Sequence, residues 1–130
     1  MTITTAHMLG ASLLDRRDGR LVDGIPQISV QELKRRLDAH EDVFVLDVRE
    51  PHEVQIVNID APLIPLGDLP KRLDELAPQK NRDIVVHCKS GGRSQMAALI
   101  LKNAGFPRVG NLAGGILAWA EKIDPTLPKY

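Results

Sequence analysis

The chain has 130 residues, of which 43% are hydrophobic and 26% charged, a size and composition typical of one soluble globular domain. Its 17 basic and 17 acidic residues give a formal net charge of zero, which argues against a surface for nucleic acid, and no apolar run is long enough to span a membrane. The single cysteine cannot form an internal disulfide and, with four histidines, shows no metal-ligand spacing, so we expect a cytoplasmic protein without a metal or cofactor.

The first 24 residues are expected to lie outside the folded domain. Residues 1–8 resemble sequence left by a cloning vector. Residues 9–24 are polar, carry charges of both signs and lack a sustained hydrophobic period, which favours a linker or a loosely packed arm. The sequence therefore predicts one domain over residues 25–130.

The first half of that domain shows a helix, a strand and a second helix. Ser29 and Glu32 match a capping box at the start of the first helix. The apolar run at residues 43–48 is too short for a helix and predicts a strand buried on both faces. A second amphipathic helix, with a proline near its start, is predicted from leucines at 3-4-3 spacing: Leu66, Leu69, Leu73 and Leu76, with Pro70.

The second half repeats this alternation. Residues 84–87 predict a buried strand, residues 108–112 a short strand, and residues 116–122 a last helix. Between the two strands lies a helix that Gly105 ends, with one apolar face formed by Met96, Ala97, Ile100, Leu101 and Ala104. Strands that alternate with helices predict an α/β domain, a mostly parallel sheet flanked by helices on both faces.

Cys88 lies where the strand at residues 84–87 runs into the following helix, and ligands of α/β sheets bind beyond such strand ends. If residues 89–93 curl around the sulfur, their N–H groups and the helix N-terminus favour a thiolate. Gly91 and Gly92 permit the positive φ that this bend needs. Cys88 is therefore a candidate nucleophile.

Two neighbouring features bear on this interpretation. Lys89 and Arg93 would add positive charge for an anionic substrate. The alternative, a buried core cysteine, needs neither the glycines nor the basic residues. His87 alternates with Cys88 along the strand and should point to the opposite side, so we interpret it as structural rather than as a general base.

The loop at residues 88–93 (CKSGGR) resembles the six-residue active-site loop of rhodanese-like sulfurtransferases. Three more segments agree in order and spacing: residues 46–50 (LDVRE) with Glu53, residues 63–66 (LIPL) and residues 111–119 (NLAGGILAW). The resemblance covers roughly residues 27–130. The short segment at residues 57–62 departs from the Gly-His-Ile-x-Gly-Ala pattern of many members. This shorter form, the segment at residues 69–76 (LPKRLDEL) and the ending at residues 123–130 resemble the rhodanese domains fused behind ubiquitin-activating-like adenylyltransferases of molybdopterin and thiamine biosynthesis.

This resemblance implies a sulfurtransferase of the thiosulfate sulfurtransferase type. Cys88 would take sulfane sulfur from thiosulfate or a persulfide, hold it as a persulfide, and pass it to a nucleophilic acceptor. In the fused subgroup the acceptor is a small sulfur-carrier protein, which an adenylyltransferase, fused or separate, activates. The active-site loop would consist of Lys89, Ser90, Gly91, Gly92 and Arg93.

Two residues at the end of the neighbouring strand are expected to support the site. Asp47 would brace the loop through hydrogen bonds, and Arg49 would lie close to the substrate mouth. For Arg49 the alternative is a surface ion pair with Glu50 or Glu53, worth about 0–1 kcal/mol.

Two other functions remain open at this stage. Phosphatases and arsenate reductases also place a cysteine in an anion-binding loop, but with five residues between the cysteine and the arginine, where this chain has four. They also need an acid to protonate the leaving oxygen, and the sequence offers no clear candidate. A non-catalytic interaction module with the same fold would be expected to lack the cysteine.

Overall fold

The structure, a computed structural model, describes residues 20–130. Five strands form one sheet: β1 (Arg20–Val22), β2 (Ile25–Ile28), β3 (Val43–Asp47), β4 (Asp83–His87) and β5 (Val109–Leu112). Their order across the sheet is β1-β2-β5-β4-β3, with β1 antiparallel to β2 and the other pairs parallel. The predicted mostly parallel sheet is confirmed.

Helices cover both faces of this sheet, as predicted. Residues 20–130 contain four α-helices and two 3₁₀-helices: α1 (Val30–Asp38), α2 (Pro51–Ile56), η1 (Leu66–Lys71), η2 (Leu73–Gln79), α3 (Gly92–Asn103) and α4 (Gly115–Lys122). Leu33 of α1 and Trp119 of α4 pack on one face, against Val85 of β4. Leu69 of η1 and Ala97 of α3 pack on the other. None of the helices within residues 20–130 is long and apolar enough to cross a membrane.

The structure corrects the predicted arm. Residues 1–8, and the arm as far as residue 19, lie outside the described residues, but Arg20–Val22 forms β1 and pairs with β2. Two residues with positive φ, Asp23 at 50° and Gly24 at 79°, make the turn between the strands. An Asp-Gly pair is a strong signal for a two-residue hairpin, so the sequence contained the information.

The predicted leucine helix is also wrong. The leucines fall in two 3₁₀-helices, each of which contains a proline, Pro70 and Pro78. Proline cannot donate the i→i−4 hydrogen bond, so two prolines eight positions apart prevent a continuous α-helix. The spacing still indicated burial correctly, because Leu69 and Leu76 are buried.

In α3, the buried face is shifted from the predicted one. Met96 is 58% exposed, although it was placed on the apolar face, whereas Ala97 and Leu101 are buried as expected. Ser94 and Ala98 complete the buried face. The first turn of α3 thus directs Ser94, a polar residue, into the protein beside Cys88.

Candidate active site

The sulfur of Cys88 lies at the carboxyl end of β4, inside a bend that leads into α3. Three donors surround it: the Gly91 amide at 3.1 Å, the Ser94 amide at 3.4 Å and the Ser94 hydroxyl at 3.3 Å. Gly91 makes the bend with φ at +114°, whereas Gly92 has no positive φ and is the first residue of α3. Only Gly91 therefore needs the conformational freedom that was expected of both glycines.

These donors determine the acidity of the thiol. Burial raises the pKa of Cys88, which is 1% exposed, but hydrogen bonds from the Ser94 side chain and from the backbone of Ser94, Gly91 and Ser90 outweigh that effect. The pKa of the thiol consequently lies below its ordinary value. A thiolate that is screened from bulk water is a competent nucleophile.

The N-terminus of α4 fixes the backbone of the same bend. The Ile116 amide donates to the Cys88 carbonyl at 2.9 Å, and the Leu117 amide donates to the Lys89 carbonyl at 3.1 Å. Gly115 allows this close approach, because a Cβ atom there would lie 2.4 Å from the Lys89 carbonyl oxygen. The segment around Gly114 and Gly115 therefore positions the cysteine loop in addition to packing.

Asn111 of β5 connects two of the sulfur's donors. Its side-chain amide donates to the Gly91 carbonyl at 3.1 Å, and its Oδ1 accepts from the Ser94 hydroxyl at 2.5 Å. Asn111 is buried and also donates to Gln27 Oε1 at 3.0 Å. Sequence reasoning missed Ser94 and Asn111 as site residues, although Asn111 opens the NLAGGILAW segment used to identify the fold.

Arg93 faces a carboxylate. Its Nη1 and Nη2 atoms donate to the two carboxylate oxygens of Glu53, at 2.7 and 2.8 Å. The paired guanidinium lowers the pKa of Glu53 to about 2, and the carboxylate in turn raises the pKa of Arg93. Both groups are therefore charged at neutral pH, and Arg93, which was expected to add positive charge for an anionic substrate, is paired with Glu53.

Asp47 and Arg49 form a buried ion pair at the end of β3. The shortest contact joins Arg49 Nη2 to Asp47 Oδ2 at 2.8 Å, and the two side chains are 0% and 1% exposed. Arg49 Nη2 also donates to the Val57 carbonyl at 2.8 Å. Arg49 thus lies neither at a substrate mouth nor in a surface pair, and Asp47 accepts hydrogen bonds from Arg49 rather than from the cysteine loop.

Tyr130 contacts three charged side chains in and around the cysteine loop. Its hydroxyl donates to Glu53 Oε1 at 2.8 Å and accepts from Arg49 Nη1 at 3.0 Å. The Lys89 ammonium lies 4.7 Å from the centroid of the Tyr130 ring. The exposed loop residues Ser90 and Gly92 complete the predicted set around the sulfur.

His87 points away from this site, as its position in the strand predicts. It is fully buried, and burial lowers the pKa of its imidazole. Its Nε2 lies 3.7 Å from Asp47 Oδ2. Its burial and its proximity to Asp47 favour a structural role for His87 over that of a general base.

Within the described residues, the site contains one thiol of lowered pKa, the hydrogen-bond donors that surround it, and two cationic side chains, those of Lys89 and Arg93. Within residues 20–130 no group of three or more His, Cys, Asp or Glu side chains could hold a metal ion. The arrangement is suited to covalent chemistry in which negative charge on sulfur is stabilised by backbone amides.

Comparisons with known proteins show which family the chain resembles. The sequence model of the rhodanese-like domain matches residues 29–122. The chain is 41% identical over 97 residues to a sulfurtransferase of Allochromatium vinosum, covering 74% of this chain and 89% of that protein. It is 38% identical over 104 residues to the probable adenylyltransferase/sulfurtransferase MoeZ of Mycobacterium tuberculosis, covering 79% of this chain and 26% of MoeZ.

The fold is similar to that of solved sulfurtransferase structures. The human single-domain sulfurtransferase TSTD1 matches with a TM-score of 0.65 and 26% identity, over 76% of this chain and 98% of that chain. Several curated relatives are longer, and this chain spans about half of their length or less.

Proposed function

The chain belongs to the rhodanese-like domain family, and on that premise we propose that it is a sulfurtransferase in which Cys88 carries the transferred sulfur as a persulfide. The observation that carries this proposal is the convergence of the Gly91 amide and both Ser94 donors on one sulfur. The same donors can stabilise the thiolate before transfer and the charged persulfide after it.

The first step loads the sulfur. The Cys88 thiolate attacks the outer sulfur of thiosulfate, the S–S bond of the donor breaks, and sulfite leaves with the electron pair. With a persulfide donor R–S–SH the terminal sulfur is attacked in the same way, and the thiolate R–S⁻ leaves. Either reaction forms one S–S bond and breaks one, so no external oxidant is needed.

The second step transfers the terminal sulfur from Cys88 to an acceptor. A nucleophilic acceptor attacks the terminal sulfur of the persulfide, the S–S bond to Cys88 breaks, and the Cys88 thiolate is regenerated. We propose a small sulfur-carrier protein, activated by an adenylyltransferase, as the physiological acceptor. With this acceptor the terminal persulfide sulfur is the nucleophile: it attacks the adenylated carboxyl group, and AMP leaves with the electron pair. Two equivalents of an external thiol then reduce the resulting acyl disulfide, which releases the thiocarboxylate and the Cys88 thiol and forms a disulfide of the reductant. The similarity to MoeZ, whose name joins both activities, supports this choice.

Mass spectrometry tests the proposal directly. Because Cys88 is the only cysteine, one sulfur atom added by thiosulfate or a small persulfide must be bound there. We expect that gain in the wild type, its removal by a strong nucleophile such as cyanide, and no gain in Cys88→Ala. Failure to load from either donor would favour an interaction module. Turnover of an aryl phosphate at rates comparable with thiosulfate would indicate a phosphatase.

A further inference from the structure

Glu53 forms an ion pair with Arg93, the arginine that would otherwise bind an anionic sulfur donor. This pairing suggests which sulfur donor the site prefers. We propose that Glu53, fixed by Tyr130, makes the site select a persulfide over thiosulfate. The inference rests on the proposed function, since it concerns the loading of Cys88. Glu53 is a selectivity residue in this proposal and takes no part in bond making.

The first observation is the geometry of the pair. Two parallel N–H···O contacts, 2.7 and 2.8 Å long, join Arg93 to Glu53. This fork-to-fork arrangement uses the same guanidinium edge that would hold two oxygens of an oxyanion. The Glu53 side chain is 8% exposed, whereas that of Arg93 is 35% exposed. An oxyanion must therefore displace a carboxylate that is almost completely buried.

The second observation is that Glu53 is held on three sides. Besides Arg93, the Glu50 amide donates to its Oε2 at 2.9 Å, and the Tyr130 hydroxyl donates to its Oε1 at 2.8 Å. The contact with Glu50 is half of a capping box at the start of α2. Three separate donors leave the carboxylate little freedom to swing away from Arg93 when a donor molecule arrives.

The third observation is the charge at the loop. Lys89 and Arg93 each contribute one positive charge and Glu53 one negative charge, so one positive charge remains beside the Cys88 thiolate. Thiosulfate carries two negative charges at neutral pH and releases sulfite, whose charge is similar. Protonated R–S–SH releases a single negative charge on R–S⁻. A single net positive charge favours the donor that releases one negative charge over the donor that releases two. Lys89, whose ammonium lies 4.7 Å from the centroid of the Tyr130 ring, carries the positive charge that Glu53 does not neutralise.

The test measures the rate constant for sulfur loading onto Cys88, by mass spectrometry, with thiosulfate and with cysteine persulfide, whose S–SH form carries no net charge. Glu53→Gln keeps an oxygen that can accept from the Glu50 amide but removes the charge that neutralises Arg93. We expect loading from thiosulfate to rise by about tenfold and loading from the persulfide to change by less than about twofold. Added salt should reduce the gain, because it screens the freed charge.

The matched control is Glu50→Gln, which removes the same charge three positions away and leaves the Glu53–Arg93 pair in place. We expect it to leave the ratio of the two loading rates close to that of the wild type. An equal rise in thiosulfate loading in both variants would overturn the proposal, because net charge alone would then explain the effect.

Tyr130→Phe provides a second, milder variant in case Glu53→Gln does not fold. It keeps the ring beside Lys89 and removes the hydroxyl, which donates to Glu53 and accepts from Arg49. Because Glu53 loses one of its three donors, the donor ratio should shift in the same direction by a smaller factor. If both variants load the two donors in the wild-type ratio, the inference is wrong while the proposed function stands. If the wild type loads from neither donor, the proposed function itself fails.

Discussion

Ser94 has one hydroxyl proton and two neighbours that can accept it. Its Oγ lies 2.5 Å from Asn111 Oδ1 and 3.3 Å from Cys88 Sγ. While Cys88 carries its proton, the thiol can donate to Oγ and the hydroxyl can donate to Asn111. Once the thiol is ionised, the hydroxyl can turn toward the sulfur, where a charge-assisted hydrogen bond is stronger. Ser94 can therefore respond to the charge state of the nucleophile.

Replacing Ser94 by alanine should raise the pKa of the thiol. The variant keeps the backbone amide but loses the side-chain donor, and hydrogen bonds to charged groups contribute about 1.5–3 kcal/mol, so we expect a rise of about one pH unit. Thiolate absorbance in the ultraviolet measures this pKa without ambiguity, because Cys88 is the only cysteine. The pH dependence of alkylation by iodoacetamide should move by the same amount.

Ser90→Ala is the control for this measurement. Ser90 lies in the same loop and is exposed, and its contribution to the thiol comes from the backbone, which the substitution keeps. Its thiol pKa should therefore stay at the wild-type value. A thiol pKa that is unchanged in Ser94→Ala, or raised equally in both variants, would show that the hydroxyl is not a specific donor to the thiolate.

At the scale of elements, the contact between α4 and the cysteine loop should be sensitive to a single methyl group. A Cβ atom on Gly115 would meet the Lys89 carbonyl oxygen at 2.4 Å and the Cys88 carbonyl oxygen at 2.7 Å, and its φ of +60° also disfavours a side chain. We expect Gly115→Ala to slow the loading of sulfur onto Cys88 by at least about tenfold, since displacement of the loop misaligns the donors around the sulfur.

The chain offers a matched control in Gly67→Ala. Gly67 lies in η1 without a positive φ, and a Cβ atom there would meet nothing within 4 Å. This variant should load sulfur at the wild-type rate and unfold at the wild-type temperature. Wild-type loading in Gly115→Ala as well would show that the loop tolerates a shift of α4 and that this contact does not position the nucleophile.

The cysteine loop could be located from the sequence because its signals are local. A β-branched strand, a lone cysteine, glycines and basic residues all lie within residues 84–94. The leucine spacing at residues 66–76 was also a local signal, but it reports which side is buried rather than how the backbone turns. Pro70 and Pro78 prevent a continuous α-helix, and the backbone forms two 3₁₀-helices there.

The partners of Arg93 and Arg49 could not be predicted from local sequence patterns. Arg93 pairs with Glu53, which is 40 positions away, and no local pattern specifies that contact. Arg49 was expected close to the substrate mouth, with a surface ion pair to Glu50 or Glu53 as the alternative. It is buried here because Asp47 balances its charge, and two backbone carbonyls and the Tyr130 hydroxyl accept further N–H groups of its guanidinium. Such compensation becomes visible only when the tertiary structure is known.

At the scale of the whole molecule, Arg49 joins parts of the chain that are distant in sequence. It pairs with Asp47 at the end of β3, donates to the Val57 carbonyl beyond α2, and reaches Tyr130, which is 81 positions away. A buried ion pair gives little net stability relative to well-packed apolar residues, because both charges have lost their hydration. Removal of one partner is different, because the other charge stays buried without compensation.

Arg49→Met should therefore destabilise the domain by about 3–5 kcal/mol, measured as the free energy of unfolding in urea. Arg72→Met is the control, because Arg72 forms an exposed pair with Glu75 and its loss should leave the free energy of unfolding close to that of the wild type. The double variant Asp47→Asn/Arg49→Met removes both charges and should recover a large part of the lost stability. The double variant could instead be as unstable as Arg49→Met. The loss of stability would then come from the lost contacts to Val57 and Tyr130, and not from an Asp47 carboxylate left buried without its partner.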